Sequence, residues 1–197
     1  MATNKMDRRV RRTRMQLRTG LIQLLQQKNI KDITVRELTD LLDINRSTFY
    51  LHCRDIHDLL DQIVAELLEE LNQILDEYKP TAGGQSMQPL FLRLFHFVDE
   101  NRDICRILLS PQGDMAFLQN LKNILRERWM RQMTTLYPNS RMLDFELYVA
   151  YTISGVLGVV QNWLGNSLTA SPEEMAELID KIMSHGVHML TMEPDVV

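Results

Sequence analysis

The stretch "ITVRELTDLLDINRSTFYLHC", Ile33 to Cys53, decides the fold. Thr34 and Glu37 have the T-x-x-E spacing of a capping box, in which a hydroxyl and a carboxylate satisfy the N–H groups that a helix start leaves open. Leu38, Leu41 and Leu42 follow at helical spacing and give this helix its buried side. Asp43 then falls at a break, and Asp is among the few non-Gly residues that tolerate the left-handed turn. Asn45 is suited to cap a second, short helix from Arg46 to about Leu51. Leu38, Leu41 and Ile44 supply an apolar hinge between the two. Two short helices joined by a tight turn have the layout of a helix-turn-helix.

Toward the N-terminus, residues 1 to 7 read as a mobile arm. A helix follows to about Lys28, with Val10, Leu17, Leu21, Leu24 and Leu25 near one face. The chain of 197 residues has a net charge of −4, which by itself argues against nucleic acid. The distribution reverses that impression. Residues 1 to 54 hold 12 Lys and Arg against 5 Asp and Glu, a balance of +7, whereas the rest holds 10 against 21, a balance of −11. A basic head that includes Arg8, Arg9, Arg11, Arg12 and Arg14 suits a polyanion. Charge alone equally suits a solvated surface.

Toward the C-terminus, Asp55 opens a helix of about 23 residues, roughly 35 Å long. Ile56, Leu59, Leu60, Ile63, Val64, Leu67, Leu68, Leu71, Ile74, Leu75 and Tyr78 keep its 3.6-residue period, and it is long enough to join two domains. "KPTAGGQS", Lys79 to Ser86, is a linker. Helical patterns follow at about 87–99, 101–109, 114–136, 141–165 and 172–191, the last opened by Ser171, Pro172 and Glu174. With 8 Gly and 6 Pro dispersed and few β-branched runs, the chain reads as all-α. Its domains are a helix-turn-helix head, 8–54, and a helical regulatory and dimerisation body, 55–197.

In the body, Val149, Ile153, Val156, Leu157, Val160 and Leu164, with Gly155 and Gly158, make 147–164 apolar nearly all round. The final helix bears a stripe of Met175, Leu178, Ile179, Ile182, Met183, Gly186, Met189 and Leu190. Part of this is core. The excess fits a homodimer through the last two helices. Soft and aromatic side chains, among 12 Met in all, suit an adaptable ligand cavity. Its candidate lining is Phe95, Trp129, Met133, Tyr148 and Tyr151. His185 and His188 have a spacing that metals accept but lack further ligands nearby, so no metal site and no cofactor is expected. Cys53 and Cys105 match no metal or redox spacing, which suggests a reducing compartment. No signal peptide is evident, and Leu147 to Leu164 is too short and polar to span a membrane, which takes about 20 apolar residues. A cytoplasmic protein is expected. No Gly-rich phosphate loop, G-x-S-x-G or H-E-x-x-H is present, so the chain is not expected to be an enzyme. A helical adaptor that binds another protein is the alternative.

The segment Ile33 to Leu60, "ITVRELTDLLDINRSTFYLHCRDIHDLL", resembles the signature of the TetR/AcrR family, with Thr34, Val35, Leu38, Ile44, Thr48, Phe49, Tyr50, His52 and Leu59 in register. The phrases "ENRDICRILLSPQGDMAFLQNL" and "SGVLGVVQNWLGNSLTASPEEMAELI" are similar to the branch with regulators of dihydroxyacetone-kinase operons. The departures are Asp43 for a turn Gly, Thr39 for a small Ala, Ser47 for a common Gly, and Cys53 at an aromatic position. Ile56 replaces a Lys that touches phosphate in many relatives, a contact that Arg54 or His57 would have to supply.

The resemblance implies a regulator, more often a repressor, that binds near-palindromic double-stranded DNA as a dimer. Its recognition helices would lie in successive major grooves roughly 34–36 Å apart. A small-molecule effector in the body would tilt the long helix and change that separation. Thr34 would cap its helix beside the DNA backbone and Tyr50 would touch a phosphate. Arg46, Ser47, Thr48 and Leu51 would face bases, with Arg46 suited to a bidentate guanine contact. Arg8, Arg9, Arg12, Arg36, Asn45 and His52 complete the candidate DNA-contact set. As alternatives, Tyr50 is a core ring, Arg46 a solvated charge, and His52 packs on the first helix.

Overall fold

The computed structural model describes residues 2–78, 86–110, 113, 115–136, 142–165 and 169–191, with backbone alone for 2–7, 133, 136 and 185–191. Nine α-helices and one 3-10 turn make up the described residues, with no strand among them. They form two compact units, residues 1–70 and 71–197, and the division falls inside a helix.

Unit 1 opens with α1, Ala2–Leu25. Helix begins at Ala2, so residues 2–7 are not an irregular arm: no Gly, Pro or other breaker stops the helix from growing back from the arginine run. Leu17, Leu21 and Leu24 are buried, while Val10 is more than one-third exposed. The 3-10 turn Ile30–Asp32, capped by Asn29, leads into α2, Val35–Leu41. Thr34 Oγ1 accepts the Glu37 N–H at 3.2 Å, as the capping-box spacing predicts. The Glu37 carboxylate does not return to Thr34 but takes Lys28 Nζ at 2.5 Å, tying the end of the first helical segment to the second.

Leu41 is 42% exposed rather than part of the hinge; the fully buried partners on α2 are Leu38 and Thr39. Thr39 fits because its hydroxyl donates back to the carbonyls of Val35 and Arg36, both at 2.9 Å. Across from them, a Cβ on Gly20 would lie 2.9 Å from Leu38 Cδ1 and from Leu42 Cδ2. A residue without a side chain therefore lets α1 and α2 close together. Asp43, at φ 51°, turns the chain. Then comes α3, Arg46–Tyr50, capped by Asn45. Helix α4, Ile56–Glu77, buries Ile56, Leu59, Ile63, Leu67, Leu71, Ile74 and Leu75 at helical spacing, its first residues in unit 1 and its last in unit 2.

Unit 2 continues with α5, Gln88–Glu100; α6, Arg102–Leu108; α7, Met115–Leu136; α8, Met142–Gly165; and α9, Pro172–Thr191. Residues 79–85 of the sequence-predicted linker lie outside the described residues. Helix α9 begins with a complete capping box: Ser171 Oγ accepts the Glu174 N–H, and Glu174 Oε2 accepts the Ser171 N–H. At the start of α5 the N-cap residue Met87 makes no side-chain cap bond, and Ser86 Oγ accepts the Gln88 N–H at 3.1 Å. Asp180, from α9, accepts the Met87 N–H at 2.7 Å and the Ser86 hydroxyl at 2.8 Å. Trp163 centres the core: its Nε1 donates to Ala170 O, Phe95 meets it edge-on at 5.4 Å, and the Arg102 guanidinium lies 4.9 Å from its ring centre.

At 24 residues α8 is longer than its apolar middle suggests, and by length and composition it meets the requirement for crossing a bilayer. Eight of its residues, including Phe145, Val149, Thr152 and Trp163, are buried, so one side of the helix belongs to the core of the unit, while Met142, Leu143, Leu147 and Tyr151 are exposed.

Candidate nucleic-acid interface

Helix α3 is five residues long and presents its first turn outward. Asn45 Oδ1 accepts both the N–H and the hydroxyl of Ser47 at 2.9 Å, which orients the Ser47 side chain at the leading edge. Arg46, Ser47 and Leu51 are exposed, Leu51 by 81%, and Thr48 is half-buried. Among the described residues Arg46 has no ion pair. The solvated guanidinium and the exposed leucine beside it together offer donors and apolar contact, the two features by which base edges are read. Phe49 points inward and is fully buried. Tyr50 stands edge-on to it at 5.4 Å and is exposed, so Tyr50 is not a core ring.

The surrounding groups divide by how free they are. Arg8, Arg9, Arg11, Arg12 and Arg14 of α1 are exposed. Thr34 is exposed at the start of α2, and Arg36 pairs with Asp40 at 3.5 Å. Arg54 is committed: Asp58 Oδ1 takes its Nε at 3.3 Å and Nη2 at 3.0 Å, while Oδ2 takes its backbone N–H at 2.8 Å. That backbone hydrogen bond, first, and the guanidinium hold Asp58 below the usual carboxylate range. Asp55 Oδ1 accepts the Asp58 N–H, so the helix cap uses both acids. Of the two substitutes named for the missing lysine, Arg54 is occupied and His57 is exposed. His52 is half-buried; burial, then the charge of Arg14, lower its pKa, and its carbonyl accepts from Gln62 at 3.2 Å. Burial raises the Cys53 thiol.

Unit 2 encloses a cavity of about 70 Å3, walled by the end of α4 and by α5, α7 and α8. Of the five sequence candidates Trp129 lines it. Phe95 packs against Trp163, Tyr148 donates to Met183 O at 3.2 Å, and Tyr151 is 73% exposed. The Met133 side chain, like those of His185 and His188, is outside the described residues. Sequence reasoning placed Tyr78 on the apolar stripe of the long fourth helix rather than on a cavity wall, and missed Arg128 and Gln132 because polar residues at these spacings read as helix surface. Outside the core, Leu147 and Tyr151 of α8 and Leu178 and Ile182 of α9 are exposed. A Cβ on Gly155 or Gly158 would meet nothing within 4 Å.

The family described as transcriptional regulator C-terminal region, of the TetR type, matches residues 85–185, just over half of the chain. The chain belongs to the TetR family of transcriptional regulators. An uncharacterized HTH-type transcriptional regulator of Bacillus subtilis, YxbF, is 20% identical over 176 residues, 86% of this chain and 44% of that protein. The chain thus spans under half the length of this curated relative. Among solved structures, the dihydroxyacetone kinase operon activator DhaS is 15% identical, with a TM-score of 0.56 over 90% of this chain and 97% of its own. A TetR-family regulator from Syntrophomonas wolfei is 16% identical, with a TM-score of 0.65 over 95% and 99%. At these identities the likeness concerns the TetR-type fold.

Proposed function

We propose that this TetR-family chain is a cytoplasmic, sequence-specific regulator, most simply a repressor, that binds near-palindromic double-stranded DNA as a homodimer under the control of a small-molecule effector. The head, 8–54, would bind DNA, and the body, 55–197, would dimerise and hold the effector. The observation that carries this reading is the first turn of α3. Arg46 and Ser47 of that turn are exposed, as are Tyr50 and Leu51 at the helix end, with no acid pairing Arg46 among the described residues and with Arg8, Arg9, Arg11, Arg12 and Arg14 of α1 exposed in the same unit. Thr34, Arg36, Asn45, Thr48, His52, Arg8, Arg9 and Arg12 complete the proposed contacts.

The dimer reading rests on α8. Leu147, Tyr151, Gly155 and Gly158 fall on one exposed face at helical spacing, and among the described residues a Cβ on either glycine would meet nothing within 4 Å. Close approach of a second copy gives them a purpose. An effector would act only through its differential affinity for the two states of the regulator.

Gel shifts at low salt, where phosphate attraction is greatest, test the reading. Arg46→Ala is expected to reduce discrimination between operator and random DNA by about 1–3 kcal/mol. Equal loss on both sequences would remove Arg46 from base reading, and no DNA binding at all would remove the function. A stable monomer in sedimentation at micromolar concentration would refute the dimer.

A further inference from the structure

The cavity in unit 2 says something about its occupant, granted the reading above that the body binds an effector. Its wall is overwhelmingly apolar, formed by residues such as Leu90, Phe91, Leu125, Ile153 and Leu157. Four polar side chains interrupt it: Tyr78, Arg128, Trp129 and Gln132. Each carries a hydrogen-bond donor, one is a cation, and no acid belongs to the lining among the described residues, although the Asp180 charge acts on Tyr78 from outside it. Among the described residues, Tyr78, Trp129 and Gln132 have no side-chain hydrogen-bond partner. Arg128 does: its Nη1 donates to Asp76 Oδ1 at 2.5 Å and its Nη2 to Asn72 Oδ1 at 3.4 Å.

We infer that the cavity takes a small, mainly apolar monocarboxylate, whose carboxylate binds Arg128 in exchange for Asp76 and so unfastens α7 from the end of α4. A carboxylate is acceptor-only and offers about four lone-pair sites, which suits a wall of donors; an arginine receives it bidentately. An amine would bring a second cation beside Arg128 with no acid on the wall, and an alcohol would add a donor where donors are already in excess. Asp76 is a weak competitor. Its side chain is 69% exposed and can return to water, whereas that of Arg128 is only 26% exposed. The volume of about 70 Å3, far below that of drug-sized pockets, restricts the occupant to a short or single-ring acid.

The exchange also provides what an effector requires. Asn72 and Asp76 lie one turn apart on α4, and Leu75 and Tyr78 from the same stretch of chain stand on the wall. Bound acid therefore favours the state in which the bridge from α7 to α4 is open, and this difference between states is what shifts an equilibrium.

Titration calorimetry on the full chain, with hexanoate, benzoate, hexanol and hexylamine as probes, tests the assignment. The two acids are expected to bind at least tenfold more tightly than hexanol, and hexylamine not to bind. Arg128→Gln should weaken the acids at least tenfold and leave hexanol unchanged. Asp76→Asn, on an exposed side chain with no role in the core, should tighten the acids several-fold, and it keeps the test decisive if Arg128→Gln fails to fold. Equal affinity for acid and alcohol, acid binding unchanged in both variants, or no binding of either acid overturns the inference. If the acids bind as described while the chain ignores DNA at low salt, the regulator reading fails and the cavity assignment stands. Should the chain bind DNA and neither acid bind, the assignment fails and the regulator reading stands.

Discussion

The hydrogen bonds that shape the head are short in sequence, whereas several that hold the body together reach far along the chain. In unit 1 the side-chain hydrogen bonds that shape the helix-turn-helix span ten residues or fewer: Thr34 to Glu37, Asn45 to Ser47, Asp55 to Asp58, Lys28 to Glu37 and Gln62 to His52. In unit 2 the corresponding bonds reach from α9 back to the start of α5 through Asp180, from Gln161 to Leu109 O, and from Arg102 to Trp163 O. Short-range bonds form with little loop-closure cost, so the head's local geometry is specified almost as soon as its helices form. The body has local bonds too, the α9 capping box of Ser171 and Glu174 among them, but its long-range polar bonds exist only once the helices have packed.

Several substitutions would break or sharpen this contrast. The largest effect is expected from Trp163→Ala, which removes a fully buried ring, its hydrogen bond to Ala170 and the seat of Arg102. It should cost about 3–5 kcal/mol in denaturant unfolding of the body. Amide exchange in α2 and α3 should be much less affected; parallel loss of protection there would erase the distinction between units.

Gly20→Leu is the counterpart in the head. The new side chain must displace Leu38 and Leu42 at a contact that already leaves no room for a Cβ. A loss of about 1–3 kcal/mol is expected, with α2 and α3 amides exchanging faster. An unchanged unfolding midpoint would show that the α1–α2 contact is looser than its distances imply.

Two caps compare the long and short reach directly. Asp180→Ala leaves the part-buried Met87 N–H without its acceptor and returns the Ser86 hydroxyl to water, and should cost about 1–2 kcal/mol. Thr34→Ala loses one local cap bond, about 1 kcal/mol. Thermal unfolding of the pair decides; a larger cost for Thr34 would reverse the proposed order.

The smallest effect is a pH dependence at His52. Burial, with a lesser contribution from the Arg14 charge, depresses its folded pKa below 6.5. A depressed pKa contributes stability that is present above pH 6.5 and is lost as pH falls through the folded value, because protonation then favours the unfolded chain. Stability of the head should decline slightly on acidification below that point. His52→Gln should flatten the decline, and an identical slope in both proteins would assign it to other groups.

The sequence by itself determined what depends on near neighbours and on helical period. The T-x-x-E cap at Thr34, the left-handed Asp43, the Asn45 cap and the seven buried positions of α4 are all legible because each is set within about a turn of its own residues. Tertiary packing decided the rest. Leu41 and Thr39 exchange the places that hydropathy assigns them because a hydroxyl bonded to its own helix can be buried and an edge leucine need not be. Glu37 leaves its box for Lys28, and Arg54 is taken by Asp58. The cavity wall gains Arg128 and Gln132 while Tyr151 stays outside. Helical spacing says which residues share a face, but which helix that face meets depends on contacts between residues far apart in the chain.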